Sequence, residues 1–241
     1  MRILKTMLHS IPEPLVLLLR PIAKILKFKY YYELLYWKIG FKNYGKVLEK
    51  ERYGPIMLAM ADEKDDRFLN GKIVADFGCG PRGSLCWAKS ALLRIGIDVL
   101  VDRYADNFKD VLISHNMIYL KSTEKVIPLP SDFVDVMYTL NAIDHVDNFT
   151  IMCNEILRVL KPGGLFIGSF NLGGQATLWE PQALTLEKIK SELLDYLEIV
   201  SYRLSGQGPD DHEYAFFNDG NLNYKEGDKG FLWVRGKKIA V

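Results

Sequence analysis

From Gly71 onward, short apolar runs alternate with segments whose apolar residues recur at helical spacing, and few folds accept that pattern. KIVADFG (72–78) reads as a buried strand, followed by IGIDVL (95–100), NMIYL (116–120), DFVDVMYTLN (132–141) and GLFIGSFN (164–171). Between them, SLCWAKSALLR (84–94) reads as a helix opened by Ser84 as N-cap, and a second helix is expected around 103–112. A third, at 148–160, carries Ile151, Ile156, Leu157 and Leu160 on one side and is stopped by KPGG. LTLEKIKSELLDYL (184–197) adds a helix, and EIVSYRLS (198–205) and GFLWVRGKK (230–238) two late strands. The polar, glycine-rich stretch 206–229 reads as a long hairpin connection or flap. Strands alternating with helices predict a parallel sheet covered on both faces, with ligands beyond the carboxyl ends of its strands.

At 241 residues, 49% hydrophobic and 25% charged, the composition is that of a globular α/β protein and excludes a disordered or membrane-spanning chain. Cys79, Cys86 and Cys153 form an odd set without a paired metal spacing and read as reduced thiols of a cytosolic protein; no metal site is expected. The net charge of +1 hides an asymmetry. Residues 1–50 carry ten Lys and Arg against Glu13, Glu33 and Glu49, a balance of +7 that leaves −6 for the remainder. An acidic body disfavours nucleic acid as a partner.

The basic leader has no apolar run longer than Leu15–Leu19, far short of the roughly 20 residues that span a bilayer. Pro12 and Pro14 interrupt any signal-peptide core. From Pro21, Ile22, Ile25 and Leu26 alternate with Lys24, Lys27 and Lys29 as in a basic amphipathic helix. Such a helix either lies on an anionic membrane, through residues 1–38, or packs over the domain with its lysines in water. The expected organisation is therefore a helical extension, 1–68, before a ligand-binding domain, 69–241.

The stretch VADFGCGPRGSL (74–85) sets three glycines at Gly78-x-Gly80-x-x-Gly83 after a strand. This spacing also occurs in dinucleotide-binding loops, where a pyrophosphate meets a helix N-terminus. Here, however, Asp76 stands two residues before the first glycine, where a carboxylate would repel a pyrophosphate and suit an ammonium group. Asp98, at the end of the second strand, fits a ribose. Together the two acids favour a nucleoside with a positively charged tail, such as S-adenosylmethionine.

VADFGCGPRG, GIDVL, STEKVIPLPSDFVDVMYTLNAIDHV and EILRVLKPGGLFIGSF resemble, in order and spacing, the signature blocks of class I S-adenosylmethionine-dependent methyltransferases over about residues 70–172. The resemblance implies a Rossmann-like, seven-stranded sheet with helices on both faces and an antiparallel last strand, GFLWVRGKK. It also implies that Asp76, Gly78, Cys79 and Gly80 hold the methionine part of the cofactor, with Gly83 permitting close approach. Asp98 would accept from both ribose hydroxyls, Val99 would line an adenine face, Thr123 and Glu124 would meet the adenine edge, and Asn141 would face cofactor or acceptor. IPLPSDFVDV is similar to the ubiquinone and menaquinone methyltransferases. YYYELLYWKIGF (30–41), GPRGSL, NAIDHV and EPQ (180–182) resemble methyltransferases of bacterial surface-polysaccharide biosynthesis, with Gln182 in place of a histidine common there.

A hydroxyl acceptor needs a base for its proton. Of His9, His115, His145 and His212, His145 beside Asp144 is placed just past the fourth strand, where cofactor and acceptor meet; His212 lies on the flap. Neither a carboxylate cluster for magnesium nor an NPPY-like tetrapeptide follows that strand; LNAI stands there instead. Tyr30, Tyr31, Tyr32, Tyr36 and Trp37 could stack on a sugar. The expected activity is O-methylation of a sugar hydroxyl on a glycan, glycolipid or nucleotide-sugar precursor, at the cytoplasmic side of a membrane. Methylation of a quinone or other small lipid, and a non-catalytic cofactor-binding module docking on a glycan-assembly partner, are the alternatives.

Overall fold

The computed structural model describes residues 13–44, 49–206 and 224–240. The flap stretch 207–223, His9 and His212 lie outside them. Helices α1 (Glu13–Ile25), α2 (Phe28–Tyr44) and α3 (Glu49–Ala61) precede the sheet. There follow β1 (Ile73–Phe77), β2 (Leu93–Asp98), α4 (Val101–Ser114), β3 (Ile118–Lys121), β4 (Val134–Leu140), α5 (Phe149–Val159) and β5 (Leu160–Leu172). The fold ends with α6 (Leu186–Glu192), β6 (Leu197–Gly206) and β7 (Gly230–Lys238). The helix expected from Pro21 is instead two: α1 runs through Pro21, the chain turns at Lys27 (φ 52°), and α2 begins.

The seven strands form one sheet in the order β3-β2-β1-β4-β5-β7-β6. β1 to β5 are parallel, and β7 runs antiparallel between β5 and β6. The order reverses between β1 and β4, so the loops leaving those strands diverge and open a cleft at their carboxyl ends.

Side-chain alternation divides the core. Ala75, Ile97, Met137 and Phe166 pack on one face with Met152 and Ile156 of α5. Val74, Tyr138, Ile167 and Trp233 pack on the other with Met57 and Met60 of α3. Strands buried on both faces account for the continuous apolar runs in the sequence.

The helix expected at 84–94 is absent. Residues 79–90 form successive turns, and β2 begins already at Leu93. The backbone bonds there are tight, from Cys86 N to Gly83 O at 2.9 Å and from Ala88 N to Leu85 O at 3.1 Å. Ser84 donates its hydroxyl to Asp76 instead of capping a helix. Leu85, Trp87 and Ala88 all turn inward against α3, where the Trp87 indole N–H donates to Met57 Sδ at 3.2 Å. α3 therefore covers the sheet where the loop helix was expected. α5 ends at Val159, ahead of KPGG, because Leu160 is already extended; KPGG lies within β5, which bulges there, skipping from Leu160 opposite Val134 to Leu165 opposite Val136. The helix at 184–197 is shortened to α6 and a single 3-10 turn, Leu194–Tyr196.

Candidate active site

The cleft encloses a cavity of about 470 Å³ bounded by the loops after β1, β2 and β4, and roofed by α2. The glycine loop is shaped by close approach. Gly78 has φ 78°, and a Cβ there would lie 2.1 Å from the Cβ of Ala142 in the loop after β4. Gly80 has φ 57°, and a Cβ there would lie 2.5 Å from the Trp37 ring of α2. Both positions need glycine for conformation and for room. At Gly83 a side chain would strike Cys86 and His115.

Two buried carboxylates face this cavity. Asp76, at the end of β1, takes the Ser84 hydroxyl on Oδ2, while Oδ1 is buried without a hydrogen-bond partner. Burial pushes its pKa up to about 7, against the Ser84 bond, with the nearby Asp98 charge adding to the rise. Asp98, at the end of β2, accepts from the backbone N–H of Leu100 at 2.9 Å and of Gly80 at 3.1 Å. Burial and then the charge of Glu33 raise its pKa to about 7. An orphaned carboxylate oxygen in a cavity is costly, and a cationic ligand relieves it. The cavity is lined by five carboxylates, Glu33, Asp76, Asp98, Glu124 and Glu180, against Lys29, Arg82 and His145. Residues and charge fit an ammonium-bearing nucleoside.

The other expected cofactor residues are brought to the same cavity. Cys79, Val99, Thr123 and Asn141 line it. The Thr123 N–H is bonded to Val126 O at 3.0 Å, and Asn141, at φ 45°, is locked to Ser169 through its N–H and its side-chain oxygen. Glu124 also lines the cavity, but its carboxylate holds α2: it accepts from Lys29 at 2.6 Å, from the Tyr30 hydroxyl at 2.6 Å and from Asp147 N–H at 2.9 Å.

His145, in the 3-10 turn Ile143–His145, also lines the cavity. Its Nδ1–H donates to Glu33 Oε1 of α2 at 2.8 Å, and its Nε2 lies 3.9 Å from both Asp144 Oδ1 and Glu180 Oε1. Burial works against its charge, but Asp144, Glu33 and Glu180 prevail and push its pKa up to about 10. Asp144 itself is buried, with Oδ2 accepting from Asn171 at 2.7 Å. Gln182 braces the turn, its amide donating to Val146 O and Asp147 O and its N–H to Asp144 O.

The aromatic cluster is divided. Tyr32, Tyr36 and Trp37 line the cavity, and Tyr32 stacks on Trp179 at 4.8 Å. Tyr30 is spent on Glu124, and Tyr31 is exposed beneath the Arg103 guanidinium.

Residues 75–168 match the family model described as a methyltransferase domain. The match covers under half of the chain, from β1 into β5. With the seven-stranded sheet, the reversed β7 and the acids at the ends of β1 and β2, this methyltransferase domain is of the class I, S-adenosylmethionine-dependent kind. It is 29% identical over 101 residues to a sterol 24-C-methyltransferase of Pneumocystis carinii, a match covering 40% of this chain and 27% of that protein. The chain thus spans about a quarter of that relative's length. Among solved structures, a putative S-adenosylmethionine-dependent methyltransferase of Listeria monocytogenes superposes with a TM-score of 0.55 at 17% identity, over 77% of this chain and 98% of that one. A structure of the putative methyltransferase bound to the Trm112 activator of Haloferax volcanii gives 0.55 at 18% identity, over 80% and 92%. These two likenesses concern the fold of the methyltransferase domain.

Sequence reasoning missed Glu33, Lys29, Arg82, Trp179 and Glu180 as parts of the cavity wall. One signal was present: Glu33 is the lone acid between Glu13 and Glu49 in an otherwise basic leader.

Proposed function

We propose that the chain transfers a methyl group from S-adenosylmethionine to a hydroxyl of a sugar ring in a glycan, glycolipid or nucleotide-linked precursor. The observation that carries the methyl-transfer reading is the buried, unpartnered Asp76 Oδ1 facing a glycine-lined cavity that also contains Asp98. When bound, the cofactor supplies a methyl group on a positive sulfur, with its leaving group built in. Asp76 Oδ1 would take the ammonium group, and Arg82, buried against Phe41, would offer its charge to the carboxylate. Asp98 would accept from the ribose hydroxyls, Val99 would line the adenine, and Thr123 with Glu124 would border its edge.

The acceptor end supplies orientation and a proton sink. Tyr32, backed by the buried Trp179, lines the cavity with an aromatic ring of the kind that sugar C–H groups pack upon, and Asn171 and Glu180 add hydrogen-bonding groups to the lining. His145 would take the hydroxyl proton on Nε2 once neutral, with Asp144 and Glu33 holding the ring in place. Because its pKa is raised to about 10, that neutral form grows as pH rises toward 10. A small lipid acceptor is the second reading, favoured by the aromatic stack and by the likeness to a sterol methyltransferase.

The test is incubation with methyl-labelled S-adenosylmethionine and two acceptor sets, bacterial glycolipid precursors and isoprenoid quinones or sterols. Label in the first set supports the sugar reading, and label in the second alone transfers the function to lipids. No turnover with any acceptor, together with tight cofactor binding, would leave a cofactor-binding module.

A further inference from the structure

Helix α1 is turned inside out. Its charged groups reach the protein: the Arg20 guanidinium donates to Pro181 O at 3.0 Å, and the ammonium of the largely exposed Lys24 pairs with Asp147 at 2.8 Å. Val16, on that same side, is buried. Leu15, Leu18, Ile22, Ile25 and Leu26 face water instead, Leu18 being 71% and Ile25 79% exposed. At 100° per residue these five fall within an arc of about 100°, the width of the apolar stripe that a surface helix normally buries. The ridge continues onto α2, where Tyr31 and Leu35 are exposed one turn apart, followed on that face by the exposed Lys38 and Lys42.

An apolar ridge of this length needs a cover, and the charge around it indicates which. Among the described side chains of α1 and α2 the one acid is Glu33, and it is turned inward onto His145. Lys27, Lys38 and Lys42 are exposed beside the ridge. The preceding MRILKTMLHSIP has the same mixed basic and apolar composition, within a leader that carries +7 in its first 50 residues. No helix among the described residues is long and apolar enough to cross a membrane. α1 has 13 residues and is about 20 Å long. A helix of that length, with an exposed apolar ridge rimmed by lysines and no acid among the described side chains on that ridge, matches an element that lies in the interface of an anionic bilayer.

We propose that the outer face of α1 and α2 docks on a lipid bilayer containing anionic headgroups, while the inner face of α2 roofs the cavity. One helix thus has its Tyr31 and Leu35 face toward lipid and its Tyr32, Glu33 and Trp37 face toward the site. The consequence, which rests on the methyl-transfer reading, is that the acceptor is an amphiphile taken from that interface.

The test is co-sedimentation of the full chain with vesicles of phosphatidylcholine, alone or mixed with phosphatidylglycerol. The wild type is expected to sediment with the mixed vesicles and to be released by salt. Leu18→Glu combined with Ile25→Glu should lower that affinity roughly tenfold or more, since two ridge side chains leave the lipid. Lys38→Gln with Lys42→Gln should weaken the preference for the anionic lipid. Both pairs replace exposed residues, so the thermal transition should be unchanged. The proposal is overturned if the wild type stays in solution, if the Leu18/Ile25 variant sediments like the wild type, or if the wild type is a dimer that this variant dissociates. Failure to bind S-adenosylhomocysteine alongside intact vesicle binding would remove the methyl-transfer reading alone.

Discussion

His145 Nδ1 and Glu33 Oε1 lie 2.8 Å apart although 112 positions separate them in the chain. The loop after β4 and the basic leader thus meet across the cavity, and the leader completes the wall of the site. Glu33→Gln should lower the His145 pKa from about 10 toward that of an ordinary histidine, because one of the charges holding the imidazolium is removed. Titration of the His145 ring by NMR checks this. A turnover profile that rises toward pH 10 in the wild type should rise at lower pH in the variant; a profile indifferent to the variant would remove His145 from proton transfer.

The same ion pair makes stability depend on pH. A histidine whose folded pKa lies above its ordinary value near 6.5 binds its proton more tightly when folded. Its stabilisation is fully present below about 6.5 and is lost as pH rises through about 10. Denaturant unfolding across that window should show the wild type losing stability with pH and Glu33→Gln losing less.

Asp76 and Asp98 act in the same sense at lower pH, through burial of the carboxylate rather than through an ion pair. Their pKa values, raised to about 7, mean that the folded chain holds extra protons between about 4 and 7 and loses stability as pH climbs through that range. An ammonium at Asp76 and hydroxyl donors at Asp98 favour the ionised forms. Binding of S-adenosylmethionine near pH 7 should therefore release about half a proton from each group. Calorimetry in buffers of different ionisation heat measures this, and the release should fall by about half in Asp98→Asn.

Gly80→Ala tests the close packing of α2 on the loop. The residue sits at φ 57° with the Trp37 ring 2.5 Å from the added carbon. The backbone strain alone should cost about 1–2 kcal/mol in unfolding free energy. Adding Trp37→Ala should recover the steric part of the loss and leave the conformational part.

How much of this was legible in the sequence depended on the range of the forces involved. β1, β4, β6 and β7 announced themselves within two residues at each end, because an apolar run bounded by turn residues is a local signal. Of the residues singled out in the sequence, Asp76, Gly78 and Asp98 line one cavity because the topology brings the ends of β1 and β2 together, a placement that strand order makes readable. The helix at 84–94 failed because Ser84 found a better partner in Asp76, and Trp87 found one in Met57, thirty positions away. Glu33 reaches the site through the docking of α2 over the sheet, and Trp179 and Glu180 through the loop after β5 that packs against it, tertiary events that no local period encodes.

The central question is whether the cavity takes its cofactor through the two strand-end acids. Calorimetric titration of the full chain with S-adenosylhomocysteine, beside Asp98→Ala and with NAD as control, measures it. Micromolar binding by the wild type, loss of most of that affinity in Asp98→Ala and no binding of NAD are the predicted results. Equal affinity in wild type and Asp98→Ala, or binding of NAD in place of S-adenosylhomocysteine, would contradict the account.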